Sequence, residues 1–391
     1  MRVFRQQRGR SPAVTPSVTK ATSVRLLLAQ RLAHELSKNP RVLAVIAMGS
    51  VALNRCSRDS DLDLAVITRD LGERCRIETR LVRKIAVDYA WLPRQAAVAI
   101  AKGGRRDAQG LRDASRLGLG LPLYDPNELA PTLRRHAVSL LPDRGLIVKT
   151  LESVSLTLAR LARRADLEPA RQWDLLRSIY DSLAFVTLQL HPIRYHKPKW
   201  VVTDLRNTGH PELMGDLLDV YFARMNSESR ARRAVRLGRV FLDALSGALN
   251  LPGYQKILDL GFTRQYAEFS YVCRALADAD SLLVDGLYRE AQYTAKFAIR
   301  MGVSLSRALA PTAPCTEPLP LLAEAGIPEL AKTYRTVFSI SSALPPPDKT
   351  LFQRCQDHAR SCSTRSAEIY HVTQGGRGAR RAGPAGRTEK A

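Results

Sequence analysis

An uninterrupted run of apolar residues, Val42–Met48, is the clearest element in the pattern of hydrophobic and polar positions. A run without a polar interruption is typical of a strand that is buried on both faces. The strand is expected to end at Gly49, because glycine tolerates the backbone angles of a sharp turn. A short helix is expected to follow over residues 51–54.

Acidic and apolar residues alternate a little further along the chain. Asp61 and Asp63 alternate with Leu62, Leu64 and Val66. Since successive side chains of a strand point to opposite faces, the two aspartates are expected on one face. The segment 84–91 alternates in the same way, and it places Asp88 on the face that carries its small alanines.

Three carboxylates gathered on one sheet repel one another unless cations neutralise them. Magnesium suits such a site because it prefers oxygen ligands and fills its coordination sphere with water and substrate phosphates. Gly49 and Ser50 add a small bend with backbone N–H groups that an anionic phosphate can approach. The alternatives are that Asp61 and Asp63 are solvated turn acids and that Asp88 lies exposed on an edge strand.

This set of residues resembles the nucleotidyltransferase superfamily, which includes DNA polymerase beta and the antibiotic nucleotidyltransferases. The resemblance covers about the first third of the chain. It implies that Asp61, Asp63 and Asp88 are catalytic residues that hold two Mg²⁺ ions, with a nucleoside triphosphate such as ATP as co-substrate. It also implies that Gly49 and Ser50 hold the triphosphate. Arg58, Ser60 and Lys199 complete the predicted nucleotide-binding set.

Other patterns place further elements in the first third. Residues 23–39 predict an amphipathic helix, 71–81 a helix that crosses to the next strand, and 119–124 a strand. Asp125 follows that strand beside a proline, so we expect it to form a turn or cap a helix and not to bind metal.

Long helical patterns replace the strands after residue 142. They cover about 145–164, 170–190, 211–225, 229–249, 264–309 with a break near 280–286, and 327–344. We therefore expect an α+β protein: a basic disordered arm (1–20), a small mixed-sheet nucleotidyltransferase domain (21–142), a helical bundle that closes over nucleotide and acceptor (143–348), and a poorly ordered tail (349–391).

A cluster of cationic and aromatic side chains lies in 194–200 of the helical region. Such a segment suits contact with a triphosphate through Lys199 and stacking on a base through Tyr195 or Trp200. The alternative is that Trp200 anchors the next helix while the lysines face solvent. Arg58 has the same two interpretations, a phosphate ligand or a solvated loop charge.

The formal net charge of +23 favours anionic ligands such as triphosphates, and it would also favour nucleic acid. Residues 1–20 hold five basic and no acidic side chains, and 375–391 hold five basic and one acidic. The six cysteines have no metal-ligand or paired spacing, which indicates a reducing cytoplasm. No apolar run reaches the ~18 residues of a membrane span.

These features predict Mg²⁺-dependent transfer of a nucleoside monophosphate from a triphosphate to an acceptor hydroxyl, with release of pyrophosphate. A small acceptor, such as an antibiotic-like or sugar-like molecule, is expected because a helical domain follows the sheet directly. Two alternatives stay open. One is transfer to tRNA, another RNA or a protein, and the other is a module that binds nucleotide without turnover.

Overall fold

The computed structural model describes residues 20–57, 60–69, 75–103, 108–163, 167–191, 197–260, 267–309, 318–339 and 344–378. A mixed sheet is followed by a predominantly helical region, which confirms the α+β fold class. The chain divides into two compact units, one from 1–104 and 116–137 and the other from 105–115 and 138–391. This division falls near the expected boundary at residue 142, but it also assigns 105–115 to the helical unit.

The first unit is built on a five-stranded sheet of order β3-β4-β2-β1-β5. Its strands are β1 (Val42–Met48), β2 (Leu62–Thr68), β3 (Arg76–Val82), β4 (Ile85–Pro93) and β5 (Leu121–Tyr124). The β2–β4 pair is parallel, whereas β1–β2, β1–β5 and β3–β4 are antiparallel. The interior strands β1 and β2 are almost wholly buried, as the uninterrupted apolar sequence of β1 predicts for that strand.

Helices cover both faces of this sheet. On one face, α1 (Lys20–Ser37) packs its buried Leu28 and Ala29 against alternate residues of the strands. The other face is covered by α3 (Arg94–Ala101), the end of α4 (Ala108–Gly118) and most of α5 (Leu129–Ser139). Because successive side chains of a strand point to opposite faces, one set packs against α1 and the other set packs against the helices on the opposite face.

The prediction of a helix over 71–81 is wrong where the structure describes it, because Arg76–Val82 forms the edge strand β3. Arg83 and Lys84, with positive φ of 51° and 65°, form a tight turn that returns the chain as β4. The reason is tertiary: pairing with β4 satisfies the backbone of a segment whose sequence also alternates. Residues 71–74 lie outside the described part.

The second unit consists of helices and the segments that connect them, with no strand among its described residues. Its helices are α6 (Arg144–Arg163), α7 (Pro169–Gln189), α8 (Val201–Asn207), α9 (Pro211–Val220), α10 (Glu228–Ala248), α11 (Tyr254–Leu260), α12 (Ala267–Val284), α13 (Tyr288–Leu305), α14 (Pro318–Glu324), α15 (Pro328–Val337) and α16 (Lys349–Gly378). The expected break of the long pattern occurs between α12 and α13, where Gly286 has a positive φ of 73°.

Helix α16 corrects the expectation of a poorly ordered tail from residue 349. Leu351, Cys355, Cys362 and Tyr370 are buried, and the Tyr180 hydroxyl donates to the Leu351 carbonyl over 3.1 Å. The buried stripe is narrow and includes two cysteines, so it does not stand out from the polar residues around it. Residues 379–391 lie outside the described part of the chain.

Across the described residues, no helix combines the length and the apolar character that crossing a bilayer requires.

Candidate functional site

Three carboxyl groups converge where β2 begins. Asp61 directly precedes β2, Asp63 lies within it, and Asp88 lies within the parallel neighbour β4. One oxygen from each of the three residues lies within 4.8 Å of the others. The structure therefore brings together the three acids that the sequence suggested as metal ligands.

Strand register explains why these acids meet. Asp63 and Asp88 are direct partners on parallel strands, so their side chains leave the sheet on the same face. Asp61 is two residues before Asp63, and the strand period returns it to that face. Asp63 is buried, while Asp61 and Asp88 are partly exposed, so the cluster opens to solvent on one side.

A hydrogen bond from the edge strand β3 restrains Asp88. Thr79, its partner on β3, donates its hydroxyl to Asp88 Oδ1 over 2.7 Å. Asp88 therefore lies on an interior strand, between β2 and β3, and not on the sheet edge. The hydrogen bond restrains one oxygen of this carboxylate.

Gly49 occupies a position that a larger residue would disrupt. Its φ of +63° lies in the left-handed region, and it starts the four-residue helix α2 (Gly49–Ala52) directly after β1. A Cβ atom at this position would lie 2.4 Å from Asp63 Oδ2. The bend therefore requires glycine both for its backbone angle and for the space that Asp63 fills.

The serines of the predicted nucleotide set make local hydrogen bonds. Ser50 Oγ accepts a bond from Cys56 Sγ over 3.6 Å, and Ser60 Oγ accepts one from the Ser57 N–H over 3.0 Å. The carbonyl of Ser60 accepts a hydrogen bond from Arg25 Nε over 2.6 Å. The last two bonds restrain Ser60, the residue that directly precedes Asp61. Arg58 lies outside the described residues, and nucleotide binding by these side chains stays a prediction.

Arg116, in the last turn of α4, belongs to this site and was missed by sequence reasoning. Its Nη2 forms an ion pair with Asp63 Oδ1. A Cβ atom on Gly49 would lie 3.9 Å from Arg116 Nε, so the guanidinium also lies beside the bend. No local pattern marks this arginine, because the contact joins residues far apart in sequence. Arg25 was missed for the same reason.

Lys199 lies in the helical unit, in a short 3-10 helix over Pro198–Trp200. Its Nζ is 2.7 Å from Asp278 Oδ1 and 5.9 Å from the centre of the Trp200 ring. The lysine side chain is buried by these contacts. Contact with a triphosphate would require the ion pair with Asp278 to open. The nucleotide role of Lys199 stays a prediction, and the preceding residues 192–196 lie outside the described part.

Asp125 does not join the acid cluster and caps a helix instead. Its two carboxylate oxygens accept hydrogen bonds from the backbone N–H groups of Leu129 and Ala130, each over 2.8 Å. These N–H groups belong to the first turn of α5 and have no partner within the helix. The prediction that this acid forms a turn or cap is confirmed.

The donor set of the cluster fits a divalent cation. Three carboxylates supply hard oxygen ligands, and Asp63 is only 3% exposed, so little solvent screens its charge. Arg116 contributes one positive charge against three potential negative charges. A divalent cation would complete the neutralisation and is the kind of ion that such oxygens bind.

No family model matches the chain, and no curated protein matches it in sequence. Among solved structures, the chain is similar to a nucleotidyltransferase-like protein from Exiguobacterium sibiricum 255-15, determined at 1.90 Å resolution. The two are 17% identical, the match covers 68% of this chain and 78% of that chain, and the TM-score is 0.24.

Proposed function

We propose that this protein is a Mg²⁺-dependent nucleotidyltransferase that moves a nucleoside monophosphate from a triphosphate to an acceptor hydroxyl. The observation that carries the proposal is the convergence of Asp61, Asp63 and Asp88, whose nearest oxygens lie within 4.8 Å of one another. Strand register fixes two of them, since Asp63 and Asp88 are direct partners on parallel strands. Rigid strands are suitable supports for catalytic groups because they hold side chains in a fixed geometry.

The three acids share two roles in this proposal. Asp61 and Asp63 would hold both magnesium ions, and Asp88 would hold one of them. The bound ions would supply charge neutralisation for the triphosphate and for the leaving pyrophosphate. Asp88 is also suited to accept the acceptor's proton, because it is partly exposed and Thr79 restrains one of its two oxygens.

The proposed transfer needs no further reactant, because each bond that forms is matched by a bond that breaks. The acceptor oxygen forms a bond to the α-phosphorus, and the bond from that phosphorus to the bridging oxygen of the β-phosphate breaks. The acceptor's proton passes to Asp88 and then to solvent, and pyrophosphate leaves with the electron pair of the broken bond. Gly49 and Ser50 are proposed to contact the triphosphate, because they begin α2 beside Asp63 and N–H groups at a helix start suit anionic phosphate oxygens.

The surface next to Asp88 supports a small acceptor that combines a hydroxyl with an apolar part. Thr79 faces Asp88 across β3 and β4, so its neighbours Ile77 and Leu81 lie on the same side of the sheet. Ile77 is 80% exposed and Leu81 is 76% exposed, so together they form an apolar surface on the Asp88 side of β3. An acceptor with an apolar surface would gain free energy by covering them.

RNA is the second candidate acceptor, and the net charge of +23 favours it. If tRNA is the acceptor, its binding should weaken steeply as salt rises. Removal of residues 379–391 would also reduce that salt dependence, because four of the five basic side chains of 375–391 lie there. An absence of affinity for tRNA at low salt would remove this candidate.

The direct test is incubation with α-labelled triphosphates and Mg²⁺ in the presence of hydroxyl compounds, tRNA or the protein alone. We expect label on one acceptor, and we expect Asp61→Asn and Asp88→Asn to abolish the transfer. Asp143→Asn is the matched control, since it makes the same change at an exposed acid that caps α6 through the Gly145 N–H at 2.7 Å. Near-normal transfer by Asp61→Asn would refute the assignment. Bound triphosphate that stays intact with every acceptor would indicate a non-catalytic module.

A further inference from the structure

Arg116 and a divalent cation would bind the same carboxylate, that of Asp63. The guanidinium of Arg116 pairs with Oδ1 of Asp63, the most buried of the three clustered acids. The arginine side chain is 30% exposed, so it has a route towards solvent that the 4% exposed Asp63 side chain lacks. Of the two partners, only the arginine is long and open enough to move.

Charge repulsion makes the Arg116 guanidinium and a divalent cation compete for Asp63. A divalent ion bound by Asp63 would lie within a few ångströms of the guanidinium, where like charges repel strongly because little water screens them. The ion pair also makes the free energy of metal binding less favourable, since Asp63 already has a cationic partner. Metal entry therefore requires the Arg116–Asp63 contact to loosen.

Arg116 has a second location within its reach. Its Nε would be 3.9 Å from a Cβ atom on Gly49, which places the side chain at the bend proposed to hold the triphosphate. Arginine presents paired N–H donors that match the oxygens of a phosphate. A guanidinium displaced from Asp63 would meet phosphate oxygens beside Gly49 without a large movement of α4.

We propose that Arg116 is a positioning residue with two partners. In the metal-free protein it neutralises Asp63 and keeps the acid cluster assembled. When metal and triphosphate enter together, it leaves Asp63 and contacts the triphosphate. This arrangement weakens metal binding in the absence of nucleotide and strengthens nucleotide binding in its presence. The inference rests on the proposed function, because it takes the acid cluster to be the metal site.

The test measures two affinities in the full-length protein. Mn²⁺ binding without nucleotide is followed by electron paramagnetic resonance, and binding of a non-hydrolysable triphosphate analogue is followed by calorimetry with Mg²⁺ present. For Arg116→Gln we expect Mn²⁺ to bind about tenfold more tightly than in the wild type, because a competing charge is removed. We expect the analogue to bind about tenfold more weakly, because a charge-assisted contact is lost.

Two further variants separate this role from a structural one. Arg116→Lys retains the charge but not the paired donors, so both affinities should lie between those of the wild type and Arg116→Gln. Arg134→Gln removes an arginine from an exposed position on α5 and should leave both affinities within twofold of the wild type. A structural ion pair would give a different result, since its loss would loosen Asp63 and weaken both ligands together.

The outcomes distinguish this inference from the proposed function. If the wild type binds Mn²⁺, Asp88→Asn abolishes that binding, and Arg116→Gln leaves it unchanged or weaker, the metal site stands and the role of Arg116 is refuted. If neither the wild type nor Arg116→Gln binds Mn²⁺, the metal site is refuted and the role of Arg116 with it. Opposite shifts of the two affinities in Arg116→Gln support the inference.

Discussion

A Cβ atom on Gly49 would stand 2.4 Å from Oδ2 of Asp63. The bend and the buried acid are therefore one packed unit, although thirteen residues lie between them in the sequence. The contact explains why the end of β1 and the start of β2 must be considered together. It also makes the bend intolerant of a larger residue.

Gly49→Ala should displace Asp63 and weaken both the fold and metal binding. The substitution places a side chain in the left-handed region, which costs about 1–2 kcal/mol, and the overlap with Asp63 adds about 1–3 kcal/mol. Gly209→Ala is the control, because Gly209 has φ +85° and no other part of the protein lies within 4 Å of where a Cβ atom would stand. Urea unfolding and Mn²⁺ binding check the prediction. Equal losses in the two variants would show that the contact with Asp63 does not matter.

Neutralising two of the acids should have opposite effects on the metal-free protein. Asp88→Asn removes one of three clustered charges and should raise the free energy of unfolding by up to ~1 kcal/mol. Asp63→Asn leaves Arg116 without its carboxylate partner and should lower that free energy by about 1–3 kcal/mol. Denaturant unfolding in the presence of a chelator measures both. Destabilisation by both variants would argue against repulsion within the cluster.

Lys296 should make the helical unit more stable as the pH rises from 7 to 8.5. Burial, together with the nearby Arg177 and Arg230, lowers the pKa of Lys296 from 10.5 to about 7, while its Nζ donates to the Tyr221 carbonyl over 2.7 Å. Above pH 7 the unfolded chain therefore holds a proton that the folded chain has released. The unfolded state binds more protons, so the free energy of unfolding increases by up to ~1.4 kcal/mol per pH unit.

Lys296→Met isolates this effect, because the unfolding free energy of the variant should lack that increase. The prediction is limited to pH values up to 8.5 because of the buried Cys273 and Cys355, whose pKa values burial raises to about 12. At higher pH these thiols ionise in the unfolded chain first, which lowers the free energy of unfolding. Chemical unfolding at several pH values provides the comparison. Parallel profiles of the wild type and Lys296→Met would exclude Lys296 as the cause.

Asp125→Ala should destabilise the first unit without changing metal affinity. It removes two hydrogen bonds of 2.8 Å to the first turn of α5, and loss of such a cap costs about 1–2 kcal/mol. Asp125→Asn retains one acceptor oxygen and should lose less. Denaturant unfolding and Mn²⁺ binding measure the two properties. A loss of Mn²⁺ affinity in the alanine variant would mean that Asp125 also supports the acid cluster.

The sequence by itself determined the elements whose pattern is local. Apolar runs identified the buried β1 strand, alternation placed Asp61 and Asp63 on one face, and helical periodicity located most helices after residue 142. The interpretation of Asp125 as a cap succeeded for the same reason, because turn and cap chemistry depends on neighbours in the chain. Strong local signals of this kind survive in the folded protein.

Only the tertiary structure decided which distant residues meet. Residues 76–82 became the edge strand β3 because pairing with β4 outweighed any helical preference. The buried stripe of α16 has meaning only against the neighbouring helices that cover it. The contacts of Asp63 with Gly49 and Arg116, and of Thr79 with Asp88, depend on strand register and helix placement. Such contacts lower the free energy only after the chain has closed the intervening loops, so no local pattern encodes them.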